Sequence, residues 1–164
     1  MQAASFTIRP VEEADRPVLL GHVLALNRFE DPFAGDRATG QGDAEASLDH
    51  LLGRVAESGG VALVAEAEGR PVAHLFVVIE TAPPYIRAEF RRRAYVADAF
   101  VQEAWRGQGA FRALLASAEI FARTAGCRQM MIGVLAGNDR AEHVYRTAGF
   151  RPYALELVRE IAPA

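Results

Sequence analysis

Residues 101–111 read VQEAWRGQGAF, and they join an extended apolar run to an amphipathic helix. Gly107 and Gly109, one residue apart, permit a tight turn and a close approach of the backbone to a ligand. The helix that follows begins with unpaired N–H groups and a partial positive charge. These features favour an anion at the turn, and a phosphate in particular. A plain strand-to-helix corner is the alternative interpretation of so short a pattern.

The second half of the chain alternates strands and helices around this turn. The predicted elements are a strand over 92–101, a helix over 111–125, a strand over 130–135, a helix over 141–148 and a strand over 153–160. Parallel strands need a long crossover, usually a helix. The strands over 92–101 and 130–135 are therefore expected to be parallel neighbours.

The first half predicts three strands and two helices. They are a strand over 6–9, a helix over 15–27, a helix over 44–57, a strand over 61–66 and a strand over 71–80. Residues Glu68-Gly69-Arg70 favour a hairpin, so the last two strands should be antiparallel. The stretch 28–43 mixes Gly, Asp, Pro and Thr with two aromatic residues. It is predicted to be a loop, and loops of that length often serve a ligand.

Composition limits the class of protein. The chain has 164 residues, of which 51% are hydrophobic and 24% charged, so a single domain over 1–164 with a real core is expected. All 18 basic residues are arginines and 21 residues are acidic, giving a formal charge of −3. That balance argues against nucleic acid or an anionic membrane as the partner. The absence of lysine excludes a Walker phosphate loop and Schiff-base chemistry.

Cysteine and histidine usage gives little sign of covalent or metal chemistry. The single cysteine, Cys127, cannot form an internal disulfide and is expected to be an inert thiol rather than a covalent acyl carrier. The four histidines lack the spacing of metal ligands, so no metal is implied. The start MQAASFTIRP does not read as a leader and no apolar run reaches about 18 residues, so a cytoplasmic protein is expected.

The segment 95–150 resembles the GNAT superfamily of acetyl-CoA-dependent N-acetyltransferases. The matching residues are Val101 to Gly109, then Ala113-Leu114-Leu115, then Asn138, Ala141, Tyr145 and Gly149-Phe150. The opening Phe6-Thr7-Ile8-Arg9-Pro10 also looks like that family. The resemblance implies an α/β (α+β) fold with a mixed, mostly antiparallel sheet of about seven strands. A central, splayed parallel pair and about four flanking helices are expected within it.

The resemblance also implies where acetyl-CoA binds. Backbone amides of the turn would hold the pyrophosphate, and the residues concerned are Arg106, Gly107, Gln108, Gly109, Ala110 and Phe111. Phe111 stands where the family usually has Gly or Ala, a departure expected to crowd the turn or repack its helix. The backbone of Phe100 and Val101 would pair with the pantetheine arm, while Asn138 and Tyr145 would lie across from it near the thioester.

Acyl transfer to an amine needs a proton acceptor for the amine and a proton donor for the thiolate. Tyr145 matches the family's tyrosine and would be the donor, although it could simply pack on its helix. Freeing an alkyl amine at pH 7 costs roughly 4–5 kcal/mol. Asp98 is the proposed base, although a carboxylate in a sheet is often a structural partner. Alternation places Asp98 and Phe100 on one face, with Ala97, Ala99 and Val101 on the other.

The acceptor is weakly constrained. Glu30, Asp31 and Glu80 are the carboxylates predicted to bind a cationic amine. The segment 95–149 looks closest to diamine and polyamine acetyltransferases, but amino acids, aminoglycoside-like compounds and peptide N-termini stay open. Two other functions remain possible: a non-catalytic regulatory module that binds acetyl-CoA, and a nucleotide-phosphate binding domain. A homodimer is expected by family analogy.

Overall fold

A five-stranded sheet with the strand order β1-β2-β3-β4-β5 organises the computed structural model, which describes residues 5–163. The first four strands are antiparallel neighbours, whereas β4 and β5 are parallel, as predicted. The elements are β1 (Thr7–Pro10), α1 (Arg16–Ala34), α2 (Gln41–Ser58), β2 (Val61–Ala67), β3 (Arg70–Thr81), β4 (Arg92–Val101), α3 (Ala110–Thr124), β5 (Met130–Ile132) and α4 (Asp139–Thr147).

Helices cover both faces of the sheet, because β3 is apolar on both of its faces. On one face, Leu114 of α3 packs in a cluster with Leu75 of β3. On the other, Leu19 of α1 and Leu48 of α2 pack with Phe76. Each of these side chains is fully buried. The alternation of Leu75 and Phe76 between the two clusters follows from the two-residue period of a strand.

The predicted hairpin is confirmed. Strands β2 and β3 are joined by two residues, Glu68 and Gly69, which have φ angles of 52° and 73°. Two consecutive positive φ angles are what a tight hairpin turn of the I′ type needs. Gly69 takes this conformation without steric cost, so the glycine fixes the position of the turn.

The predicted loop over 28–43 is largely helical, and that prediction is wrong. Helix α1 continues to Ala34 and α2 begins at Gln41. Phe29 and Phe33, one helical turn apart, pack with ring centroids 5.6 Å apart and favour the extra turns. The composition of the stretch, which includes Pro32, is typical of a loop. Pro32 nevertheless lies in the last turn of α1 and does not shorten the helix. Gly35, at a φ of 72°, ends it.

The closing strand over 153–160 does not form. Residues 151–163 have no regular secondary structure, and β5 ends at Ile132 rather than at residue 135. The sheet therefore has five strands where about seven were expected, and the parallel pair lies at its edge rather than at its centre. Alternating polarity indicates that a segment can pair, but a strand forms only where it meets another strand's backbone.

Within residues 5–163, none of the helices combines the length and the apolar character that crossing a membrane would need.

Candidate functional site

Strands β4 and β5 separate after three residue pairs. Ala94, Tyr95 and Val96 face Met130, Met131 and Ile132, and β5 then ends. Among residues 5–163, no strand pairs with this edge of β4 from Ala97 to Val101. A cleft of about 1000 Å³ lies at this opening and is lined by residues from α1, β4, α3 and α4. The early end of β5 thus creates both a cavity and a free strand edge.

The glycine turn forms one end of the cleft. Gly107 and Gly109 have φ angles of 75° and 97°, which disfavour a side chain. Arg106 Nε donates to the Val101 carbonyl oxygen at 3.0 Å, and Gln108 Nε2 donates to the Ala104 carbonyl oxygen at 2.7 Å. These bonds tie the turn to the end of β4. The first residues of α3 line the cleft, so its N-terminus opens onto that space.

The predicted cofactor residues lie mostly at this cleft. Those that line it are Phe100, Val101, Arg106, Gly107, Gly109, Ala110, Phe111, Asn138 and Tyr145. Gln108 is not among the lining residues, because its side chain bonds back to the Ala104 carbonyl. Asn138 is 7% exposed, and its Oδ1 accepts the Ala141 N–H at 3.1 Å. It therefore begins α4 at the cleft wall as a helix N-cap.

Phe111 packs both on Tyr145 and against the core. Its ring centroid lies 5.6 Å from that of Tyr145, and its side chain also packs against the α3 core cluster. The Tyr145 ring has a second aromatic neighbour in Phe150, at 6.2 Å. Two rings therefore fix the orientation of Tyr145, and one of them is the residue that departs from the family's pattern.

Tyr145 stays protonated at neutral pH. Burial raises the pKa of its phenol to about 12, and the negative charges of Glu30 and Asp98 act in the same direction. Tyr95 adds a further contribution of the same sign. The phenol is thus able to donate a hydrogen bond, and Tyr145, Glu30 and Asp98 all line the cleft.

A bulge in β4 turns Asp98 toward the cleft. Phe76 pairs with Asp98 and Val77 pairs with Val96, so Ala97 is an extra residue without a partner on β3. Ala97 consequently packs on the α1 and α2 side, whereas Ala99 packs on the α3 side. The prediction that these two alanines share a face is therefore wrong. Asp98 lines the cleft with its side chain 11% exposed.

Sequence reasoning missed a buried histidine pair behind Asp98. His74 Nε2 lies 2.7 Å from Asp98 Oδ1, and His74 Nδ1 lies 3.2 Å from His22 Nδ1. Gln102 Nε2 lies 2.9 Å from His22 Nε2. The spacing of the four histidines bears on metal ligation and does not predict this pair. The available signal was the position of His74 inside an apolar strand, where a polar side chain needs a partner.

Only one of the three predicted substrate carboxylates lies at the cleft. Glu30 lines it, with Oε2 accepting from Arg37 Nε at 3.0 Å. Asp31 is not a lining residue, and its Oδ1 accepts the Arg37 backbone N–H at 3.1 Å. Glu80 lies outside the cleft and accepts from Arg93 Nε at 3.2 Å.

Charged side chains of both signs line the cleft, and they are Arg37, Arg106, Arg112, Arg140, Glu30, Asp98, Glu119 and Glu156. Arg106 and Arg112 belong to the turn and the start of α3, and Arg140 lies in the first turn of α4. Asp98 and Glu30 are the carboxylates near Tyr145. In the described part of the chain, no group of three or more His, Cys, Asp and Glu residues is arranged to hold a metal ion. Cys127 is not a cleft residue, and burial raises the pKa of its thiol.

Comparison with known proteins gives consistent matches. The model of the acetyltransferase (GNAT) family matches residues 25–150. An aminoglycoside N(6′)-acetyltransferase type 1 from Stenotrophomonas maltophilia is 31% identical over 121 residues, covering 73% of this chain and 74% of that protein.

Solved structures share the fold. A GCN5-related N-acetyltransferase from Ralstonia eutropha JMP134 superposes with a TM-score of 0.73 at 23% identity, over 97% of this chain and all of that one. The aminoglycoside N-acetyltransferase AAC(6′)-Iy in complex with CoA gives 0.69 at 16% identity, over 95% of this chain and 100% of that one.

Proposed function

The chain belongs to the acetyltransferase (GNAT) family, and on that premise we propose that it moves the acetyl group of acetyl-CoA directly to a primary amine of a small molecule or peptide, with both substrates bound in the cleft. The observation that carries the proposal is one continuous cleft. It has a helix N-terminus and a glycine turn at one end, and an acid–base pair, Asp98 and Tyr145, along its wall.

The turn and the free strand edge suit acetyl-CoA. N–H groups from Arg106 to Phe111 hold the pyrophosphate, and the arginines at the starts of α3 and α4 complement its negative charge. The unpaired edge of β4 at Phe100 and Val101 offers backbone donors and acceptors to the amides of the pantetheine arm. The thioester then lies toward Asn138 and Tyr145.

The Asp98 carboxylate suits a cationic amine, whereas Glu30 is already paired with Arg37. Asp98 attracts the ammonium group and accepts its proton, directly or through water, so that the nitrogen lone pair is free. The nitrogen forms a bond to the acetyl carbon, and the carbon–sulfur bond breaks. Tyr145 donates its phenolic proton to the departing sulfur, and the second proton of the attacking nitrogen restores the Tyr145 phenol, directly or through water. A backbone N–H of the β4 edge stabilises the oxyanion.

An aminoglycoside is the first acceptor to test. The 31% identical relative is named an aminoglycoside N(6′)-acetyltransferase, and its match covers most of both chains. Aminoglycosides carry several ammonium groups, and the Asp98 carboxylate would attract one of them. Diamines and polyamines share that property and are the second class.

Thiol release tests the proposal. The purified protein is given acetyl-CoA and a panel of amines: aminoglycosides with a 6′-amine, matched aminoglycosides with a 6′-hydroxyl, polyamines, amino acids and peptides. Release should be accelerated by at least one amine, with the acetylated product seen by mass spectrometry, and Asp98→Asn should abolish most of it. Calorimetric binding of acetyl-CoA with no acceleration by any amine would instead support the non-catalytic regulatory module.

The proposal includes a cytoplasmic homodimer. Apolar side chains of the C-terminal segment, defined as residues 151–163, are strongly exposed: Leu155 is 81% exposed, Leu157 88% and Val158 96%. The sheet is also open at its β5 edge. Monomers rarely expose large apolar patches, and an open strand edge can pair with another chain. A second copy that covers both features accounts for them together.

A further inference from the structure

A chain of four hydrogen-bonded side chains runs from the cleft into the core. It consists of Asp98 on β4, His74 on β3, His22 on α1 and Gln102 just after β4. His22 and His74 are buried, and His74 is wholly inaccessible. No buried side-chain nitrogen or oxygen among the described residues lacks a hydrogen-bond partner, so every polar atom buried in this chain is satisfied.

The partners fix the direction of the hydrogen bonds. Gln102 Nε2 lies 3.4 Å from the Pro71 carbonyl oxygen, which can only accept, so the amide nitrogen faces Pro71 and His22 Nε2. His22 Nε2 is then an acceptor, and the His22 proton is on Nδ1. His22 donates from there to His74 Nδ1. His74 in turn carries its proton on Nε2 and donates it to Asp98 Oδ1.

This arrangement leaves no acceptor for a second proton on His74 Nδ1. A second proton on His74 Nδ1 would face the N–H of His22 across 3.2 Å. If the His22 proton were on Nε2 instead, that N–H would face the Gln102 amide N–H across 2.9 Å. The His74 ring also stacks on Phe76 with centroids 4.5 Å apart, so no water reaches it to accept a further proton.

Asp98 therefore has a donor but no counter-charge. Within the described residues, His74 is the basic side chain that the ion-pair distances associate with Asp98, and no arginine lies within 4 Å of this carboxylate. A carboxylate paired with arginine would have its charge neutralised before the amine arrives. Here the charge stays available, while one oxygen is fixed in place.

We propose that His74 is a positioning residue: a neutral imidazole, held in its Nε2–H tautomer by His22 and Gln102, that fixes Asp98 Oδ1 and leaves the carboxylate anionic and aimed at the acceptor amine. The inference rests on the proposed function, because it assigns His74 a part in that reaction. The same Nε2–H bond survives when Asp98 has taken the amine proton on its other oxygen, since a neutral carboxyl group still accepts at Oδ1.

The first test is independent of any amine. Nitrogen-15 chemical shifts of the histidine side chains are measured by NMR at pH 7 in the whole protein, with His50→Gln used to assign the exposed His50. His74 should show the neutral Nε2–H pattern and His22 the neutral Nδ1–H pattern. A doubly protonated His74, or a His74 proton on Nδ1, overturns the proposal even if the protein proves to be an active acetyltransferase.

The second test uses kinetics on the best amine of the panel. His74→Phe keeps a ring but removes the donor, and it should lower kcat by about 10- to 100-fold, as small misplacements of a reacting group do. The Kd for acetyl-CoA should stay within about twofold. His74→Gln, which returns an N–H donor at the same reach, should recover most of the lost rate.

A double-mutant cycle separates positioning from general structural damage. In an Asp98→Asn background, His74→Phe should cost little further rate, because its effect passes through the carboxylate. Full additivity of the two losses, or wild-type kcat in folded His74→Phe, overturns the proposal. If His74→Phe does not fold, the NMR tautomers and His74→Gln still decide. An inactive wild type with the expected tautomers would refute the proposed function while leaving the hydrogen-bond chain in place.

Discussion

At the scale of the residue, burial keeps Tyr145 in the protonated form that its proposed role as a proton donor requires. Its ring is held between Phe111 and Phe150, and its pKa of about 12 keeps the phenol protonated through the physiological range. Tyr145→Phe keeps the packing and removes only the proton, so kcat should fall about 100-fold or more while the Kd for acetyl-CoA changes little. Tyr85→Phe, at a position 83% exposed, is the matched control. An unchanged kcat in Tyr145→Phe would remove Tyr145 from the mechanism.

His22 makes a separate prediction about stability. Burial lowers its pKa from 6.5 to about 3, so the unfolded chain binds a proton that the folded protein does not. The contribution of His22 to the free energy of unfolding is fully present above pH 6.5. It is lost as the pH falls from 6.5 toward 3, at up to about 1.4 kcal/mol per pH unit. The free energy of unfolding of the wild type should therefore fall more steeply between pH 6.5 and 4.5 than that of His22→Gln.

Two comparisons control the His22 prediction. His50→Gln alters an exposed histidine and should follow the wild-type pH dependence. Arg9 holds the pKa of Asp15 below its ordinary 3.8 by hydrogen bonding. The contribution of Asp15 to the free energy of unfolding is therefore lost only below pH 4.5, outside the range compared. Denaturant melts at several pH values measure the slopes. Parallel slopes for the wild type and His22→Gln would contradict the prediction.

At the scale of the element, the glycine turn sets both the start of α3 and the proposed pyrophosphate site. Gly109 has a φ of 97°, where a side chain is strained whatever space surrounds it. Gly109→Ala should destabilise the fold by about 1–2 kcal/mol and weaken acetyl-CoA binding, because the first N–H groups of α3 would be re-aimed.

Gly21→Ala is the matched control for that turn. Gly21 lies inside α1 with nothing within 4 Å of an added Cβ, so the same substitution there should stabilise the fold by about 0.5–1 kcal/mol. Thermal melting and calorimetric titration with acetyl-CoA measure both variants. Wild-type affinity in Gly109→Ala would argue against pyrophosphate binding at this turn.

At the scale of the whole molecule, the exposed C-terminal segment predicts association. Light scattering on the intact chain should give the mass of a dimer. Leu155→Asp combined with Leu157→Asp should shift it toward the monomer, because both side chains are more than 80% exposed in a single copy and would be buried by a second. Glu57→Gln, an exposed change on α2, should leave the mass unchanged. A monomeric intact chain would refute the homodimer.

Local sequence patterns predicted most of the helices and strands. The apolar spacing of α3, the two-residue turn at Glu68 and Gly69, and the run 101–111 predicted the hairpin, the parallel pair and the four helices, because these depend on neighbours in sequence. The same patterns failed at α1, where the packing of Phe29 and Phe33 outweighs a loop-like composition, and at 153–160, where a strand pattern finds no partner.

Sequence patterns predict that a glycine turn precedes an amphipathic helix, and Asp98 and Tyr145 are the proposed acid–base pair. The surroundings of these two residues follow only from the tertiary structure. A bulge at Ala97 sets the face of Asp98, and His74 and His22, 52 residues apart in sequence, meet behind it. Strand register and long-range burial arise from packing between distant segments, which no window of neighbouring residues contains.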